Sequence, residues 1–375
     1  MERYGFNLQE LRSKKEKLES LLYSEVSEED KNDIYDLITM YDSILSNFDS
    51  NDNYTRDNMS KESLLSDLKD FVTLDDFNDE NKLVRNNVCS LLSVLVTRKN
   101  SYTFEELNLT DSEAVELVGD MIKSRLGMTH YNIYKSLFLN QKDHVEFSND
   151  ISSALLVIPN TKEPFTIIQN HPDIAKASDL AHEAGHLFSS RLSESYMLPN
   201  SVLDEVESIF YELLFIDFLL VENIYQNDAR NLFSEMITSS IQRAYILNVE
   251  FNYPMYKLNS IRDFKTMSNK YDLYNITGIF NSKDLLQWIN LYNDDNPFMY
   301  VYSFLIALEL YDQYKINRNK KSVVSKYEKF ISQIGTIPDF KLASCISRDY
   351  ISFDRFKTLK KYKSKFVDDN KRFRN

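Results

Sequence analysis

Two of the chain's five histidines lie in one short phrase, Asp179-Leu180-Ala181-His182-Glu183-Ala184-Gly185-His186. On a helix, positions i and i+4 share a face, so His182 and His186 can aim ring nitrogens at a single metal ion. Glu183 stands next to the first of them, where a carboxylate can reach a water on the metal without ligating the ion itself. This is the H-E-x-x-H arrangement of zinc peptidases. For a chain with five histidines the pattern is expected by accident on the order of 0.005 times. The alternative is a helix that carries two surface or core histidines and no metal.

A catalytic zinc takes a third protein ligand and keeps its fourth position open. The residues after Ser201 offer Asp204, Glu205, Glu207 and Glu212, and the pattern predicts a helix beginning near Ser201. Eighteen residues separate His186 from Glu205, room for a turn and an antiparallel return. Glu205, Ser208 and Glu212 fall on one face of that helix, beside Leu203, Ile209, Leu213 and Leu214. A carboxylate on a partly buried face calls for a cation or a partner, whereas a solvated one does not. Glu205 is therefore the expected third ligand of one Zn2+ ion, and Glu212 the candidate acceptor for a ligand histidine N–H.

The phrase from Glu205 to Leu220, EVESIFYELLFIDFLL, resembles the zinc-ligand helix of oligopeptidase F and its thimet-oligopeptidase relatives. There a ligand Glu precedes a Ser by three residues and a second Glu by seven. SDLAHEAGH upstream is similar to the family's TLAHELGH. Ile241 to Phe251 resembles its FRQTxFAEFE segment, and Trp288 with Pro297-Phe298-Met299-Tyr300-Val301-Tyr302 its W…PFYVYKY segment. The likeness runs from about 150 to 317, four phrases in the family's order. The eighteen-residue gap is also that of zinc aminopeptidases, but their glycine-rich exopeptidase motif has no counterpart here.

The resemblance implies a zinc-dependent endopeptidase acting on short or unstructured peptides, with Glu183 as general base. It also implies a tyrosine hydroxyl for the oxyanion, from Tyr302 when the YVY triplets are aligned, or from Tyr300. The fold it implies is mainly α: a multi-helical, zincin-like metallopeptidase with a small β-sheet bordering the active-site cleft. The family places a histidine shortly before its tyrosine pair; here that position falls on Asn293 or Asp294, and no histidine follows His186. Family members are also longer than 375 residues, which implies a reduced lid. These departures motivate a second reading, a catalytically impaired descendant that binds peptides or proteins.

The elements that must carry these residues read as helices. Only six glycines occur in the chain, too few for an architecture rich in hairpins or parallel α/β loops. Helical periodicity appears near 8–24, after Ser27, and near 61–72, 80–98, 112–125 and 130–140. Between 143 and 169, β-branched runs around Asn160 and Pro164 predict a pair of strands. A boundary near 100 would separate an N-terminal helical region, 1–100, from a catalytic region, 101–375.

Composition narrows the class. The net charge of −13 argues against a nucleic-acid partner, and no apolar run is long enough to span a bilayer. Two cysteines, no secretory leader and no spanning segment point to a cytoplasmic protein. The segment from Asp354 to Asn375 carries nine Lys/Arg against three Asp and reads as a solvated basic helical end.

Overall fold

The computed structural model describes residues 79–96, 102–107, 109–140, 145–149, 153–157, 164–192, 202–253, 258, 261–282, 284–285, 289, 297–334, 337, 339–346 and 353–368. The helices expected near 8–24, after Ser27 and near 61–72 lie outside these residues, as do His144, Trp288, Asn293 and Asp294. The described residues fall into two units, 105–192 and 79–104 with 202–368. Both are dominated by helices, as the glycine scarcity predicts.

In the first unit, α2 (Asp111–Arg125) opens with a capping box in which Thr110 and Glu113 satisfy each other's backbone N–H groups. α3 (Met128–Tyr134) runs on into a π turn, Lys135–Leu139. Three short strands follow: β1 (Val145–Ser148), β2 (Ala154–Val157) and β3 (Pro164–Gln169). β2 and β3 form the expected antiparallel pair, with Val157 opposite Pro164. Proline can open a strand there because it has no N–H to give to the ladder. β1 adds to the other edge of β3 in parallel, giving the order β1-β3-β2. α4 (Ala175–Leu192), which carries the histidine phrase, packs on β2, β3, α2 and α3.

The second unit is built around α5 (Val206–Glu222) and α9 (Pro297–Ile316). α5 is apolar nearly all round, and such a helix must sit inside. Thirteen of its 17 residues are buried, including Phe210, Leu213, Leu214 and Phe215. A three-residue link with Asn223 and Tyr225 in the left-handed region returns the chain into α6 (Gln226–Asn252). This helix of 27 residues packs on α5, α9 and α1 (Asp79–Ser93). α7 (Ile261–Lys270) and α8 (Leu273–Thr277) follow, and Phe264, Met267 and Leu273 share a core with Ile246 and Val249 of α6. After α9 come α10 (Lys320–Ile331), α11 (Asp339–Ala343) and α12 (Phe353–Lys363), which ends in a π turn, Ser364–Asp368.

The basic C-terminal segment is more than a solvated coat. Leu359, Tyr362, Phe366 and Val367 are buried at helical spacing, and Arg355 is only 3% exposed. Its guanidinium bonds Glu309 at 2.8 Å and the Ala343 carbonyl at 2.8 Å, tying α12 to α9 and α11. Among the described residues no helix is long and apolar enough to cross a membrane.

Candidate active site

The two motif histidines sit mid-way along α4, as their spacing predicts, half-buried among neighbours that are almost all buried. Their Nε2 atoms approach to 3.2 Å, with the rings nearly perpendicular at 76°. Two nitrogens about 2.0–2.1 Å from one tetrahedral zinc would stand roughly 3.3–3.4 Å apart, so the pair already has the spacing of two zinc ligands. Glu183, one residue on, is only 2% exposed.

Several contacts hold α4 in place. The Asp173 carboxylate accepts the Ala175 N–H at 2.8 Å as the helix begins. The Ser153 hydroxyl donates to Asp179 at 2.6 Å and accepts the Gln169 N–H at 2.8 Å, so it joins the helix to the end of β3. Asp179 shares a helical stripe with His182 and His186, and the ring of His171 approaches it at 3.5 Å. One turn before Asp179, Lys176 reaches the Leu109 carbonyl at 2.8 Å and Asp111 at 3.0 Å. His130 stacks on Phe188 with centroids 3.6 Å apart, and its burial holds the imidazole down to about 3, so it stays neutral. The sequence offered no role for His130; the structure makes it packing beneath the motif helix.

Glu205 is 7% exposed and stands just before α5 rather than within it. The helix predicted from Ser201 begins at Val206, because residues 202–205 form a turn. The Ser208 hydroxyl donates to the Glu205 carboxylate at 2.8 Å, which fixes its orientation. Val202, three residues earlier, is clamped from both ends. Its N–H donates to Asp339 at 2.7 Å, and its carbonyl accepts from Ser303 at 3.0 Å. Ser303 and Asp339 thus position the Glu205 turn, and nothing in the local sequence singles them out. Glu212 is half-buried within α5, and Glu207 is buried.

The two tyrosines part company. Tyr302 is buried, stacks on Phe298 with centroids 5.6 Å apart, and its hydroxyl accepts from Arg355 at 3.3 Å. Burial raises its pKa, against the pull of Arg355. Tyr300, two residues earlier on the same helix, is only half-buried, and the Arg243 guanidinium lies over its ring at 4.5 Å.

No protein-family model matches the chain. No curated protein matches it either. Among solved structures, a Bacillus anthracis protein described as an oligoendopeptidase F aligns with a TM-score of 0.57 at 16% identity, over 97% of this chain and 68% of that one. A Chlamydophila abortus protein described as a peptidase gives 0.55 at 14% identity, over 96% and 63%. PZ peptidase A, solved with an inhibitor, gives 0.54 at 14% identity, over 96% and 69%. The chain therefore has the mainly helical fold of oligoendopeptidase F structures. It spans 63% of the length of the Chlamydophila protein.

Proposed function

We propose that the chain is a zinc-dependent endopeptidase that hydrolyses short or unstructured peptides, with His182, His186 and Glu205 as ligands of one ion. The observation that carries this reading is the 3.2 Å separation of the His182 and His186 Nε2 atoms on one face of a firmly packed helix. Two imidazoles and one carboxylate are a donor set of catalytic zinc, and they leave a fourth position for water or substrate. When bound, zinc polarises the scissile carbonyl and makes a water nucleophilic near neutral pH.

The rest of the chemistry belongs to the chain. Glu183, beside His182, takes the proton of the attacking water and hands it to the leaving nitrogen. Ser208 holds the Glu205 carboxylate in one orientation, and the Ser303 and Asp339 clamp holds the turn that presents it. The oxyanion needs a donor besides the metal. Tyr300 is the better candidate, since its side chain is partly accessible while the Tyr302 hydroxyl is engaged by Arg355 in the interior. The fold shared with PZ peptidase A and the Bacillus anthracis protein supports the substrate class.

Digestion of a mixed peptide library by the zinc-loaded protein tests this. Internal cuts are expected from the native chain and none from Glu183→Gln with its zinc retained. No cleavage by the native chain would leave the fold as a peptide-binding one, and cuts confined to free N-termini would make it an aminopeptidase.

A further inference from the structure

Four elements of the second unit meet around a part-open cavity of about 270 Å³: the end of α5, the first turns of α6, the last turn of α9 and the π turn after α12. Three cations line it, Arg230, Lys315 and Lys365. Only Lys315 has an ion pair among the described residues, with Asp217, whose side chain is 3% exposed. That anchor is shared, because the Tyr311 hydroxyl also donates to Asp217, at 3.4 Å. Lys361 lies alongside and is engaged by Asp312 at 2.6 Å. Arg230 and Lys365 have no ion pair with any described residue.

This gathering is unusual for a chain of net charge −13. Partial desolvation, and after it Lys315, Arg230 and Lys361, hold the Lys365 ammonium below the usual lysine range, with Asp217 pulling the other way. The cations therefore feel one another, and their mutual repulsion costs free energy that a bound anion would offset. Lys315 is fixed before any ligand arrives, while Arg230 contributes a forked donor suited to an oxyanion. The rest of the wall is mixed: Leu220, Phe366 and Val221, the last of them 52% exposed, supply its apolar part beside Gln226, Tyr311 and Tyr362.

We propose that this cavity binds a small organic phosphate. Its dianionic head sits among Arg230, Lys315 and Lys365, and its apolar body lies against Leu220, Val221 and Phe366. Three cationic donors match the three terminal oxygens of a phosphate monoester better than the two of a carboxylate. The site is separate from the proposed peptidase centre. Leu220 lies fifteen residues beyond Glu205 along α5, roughly 22 Å at 1.5 Å per residue. It does not depend on the peptidase reading.

Calorimetric titration of the full-length chain with phenyl phosphate tests it, with phenol and inorganic phosphate as comparisons. One saturable site is expected for phenyl phosphate, tighter than inorganic phosphate, with no binding of phenol. Arg230→Gln combined with Lys365→Gln should weaken binding by about tenfold or more. Both side chains are exposed, so the circular dichroism should not change. Raising NaCl to about 0.5 M should weaken binding to the unmodified chain, a readout that needs no variant. The proposal is overturned if phenyl phosphate gives no saturable heat, if the double variant binds as tightly, or if salt has no effect. Equal affinity for inorganic phosphate would overturn its organic half.

Discussion

Replacing each tyrosine of the Tyr300-Val301-Tyr302 triplet by phenylalanine separates a structural hydroxyl from a chemical one. Tyr302→Phe keeps the stack on Phe298 and the ring under Arg355, and removes the 3.3 Å hydrogen bond from Arg355. Arg355 retains Glu309 and the Ala343 carbonyl, so it is not stranded. The bond is long but charge-assisted, and about 1–1.5 kcal/mol of stability should go with it. In a protein of this size that lowers Tm by about 1–2 °C. Turnover of a fluorogenic peptide should be unchanged. Tyr300→Phe keeps the ring beneath Arg243. Loss of an oxyanion donor should cut kcat by about 10²–10³ with little change in KM. Differential scanning calorimetry and steady-state kinetics on the two variants read both effects. The reverse pattern, turnover lost with Tyr302→Phe and kept with Tyr300→Phe, would refute the assignment.

Two further outcomes follow from the same packing. His130 is neutral in the folded chain down to about pH 3 but titrates near the ordinary histidine value of 6.5 when unfolded. The unfolded state alone takes up that proton between pH 6.5 and 3, so stability falls as pH falls, by about 1.4 kcal/mol per unit. Glu250, pushed up to about 7 by burial, acts oppositely, favouring the folded state at low pH and losing that advantage as pH rises from 4.5 through 7. The informative quantity is therefore the difference between native and His130→Phe chains in urea unfolding. Between pH 8 and 4.5 the native chain should lose about 2–3 kcal/mol more than the variant, and parallel pH profiles would contradict the burial of a neutral imidazole. Chelation should lower Tm and zinc restore it, with free zinc at a hundredfold over Kd worth about 2.7 kcal/mol. His186→Ala should show no such rise, and a Tm indifferent to chelator would argue against a bound ion.

Much of the site is legible in the sequence because it is local. The i, i+4 histidines need only a helix, and the antiparallel β2–β3 pair is announced by β-branched runs either side of Asn160 and Pro164. Where prediction falls short, distant contacts decide. The helix expected from Ser201 starts at Val206 because Ser303 and Asp339, each more than a hundred residues away, seize the backbone of Val202. β1 is a four-residue strand whose partner is parallel, and such pairing leaves little signature in so short a segment. Tyr300 and Tyr302 lie about 200° apart around a helix, so one faces inward, but the choice rests on Arg355, 53 residues downstream. The C-terminal segment did carry a signal that its charge concealed. Leu359, Tyr362 and Phe366 recur at helical spacing and are buried.

Zinc-edge X-ray absorption on the protein, with metal content measured on the same sample, reads out the proposed metal site. One zinc per chain is expected, with two imidazole nitrogens at about 2.0–2.1 Å and further oxygen ligands. His182→Ala or His186→Ala should each abolish zinc binding, and Glu205→Gln should lower zinc affinity while leaving both imidazoles in place. A chain that binds no zinc, or binds it without imidazole scattering, would contradict the account.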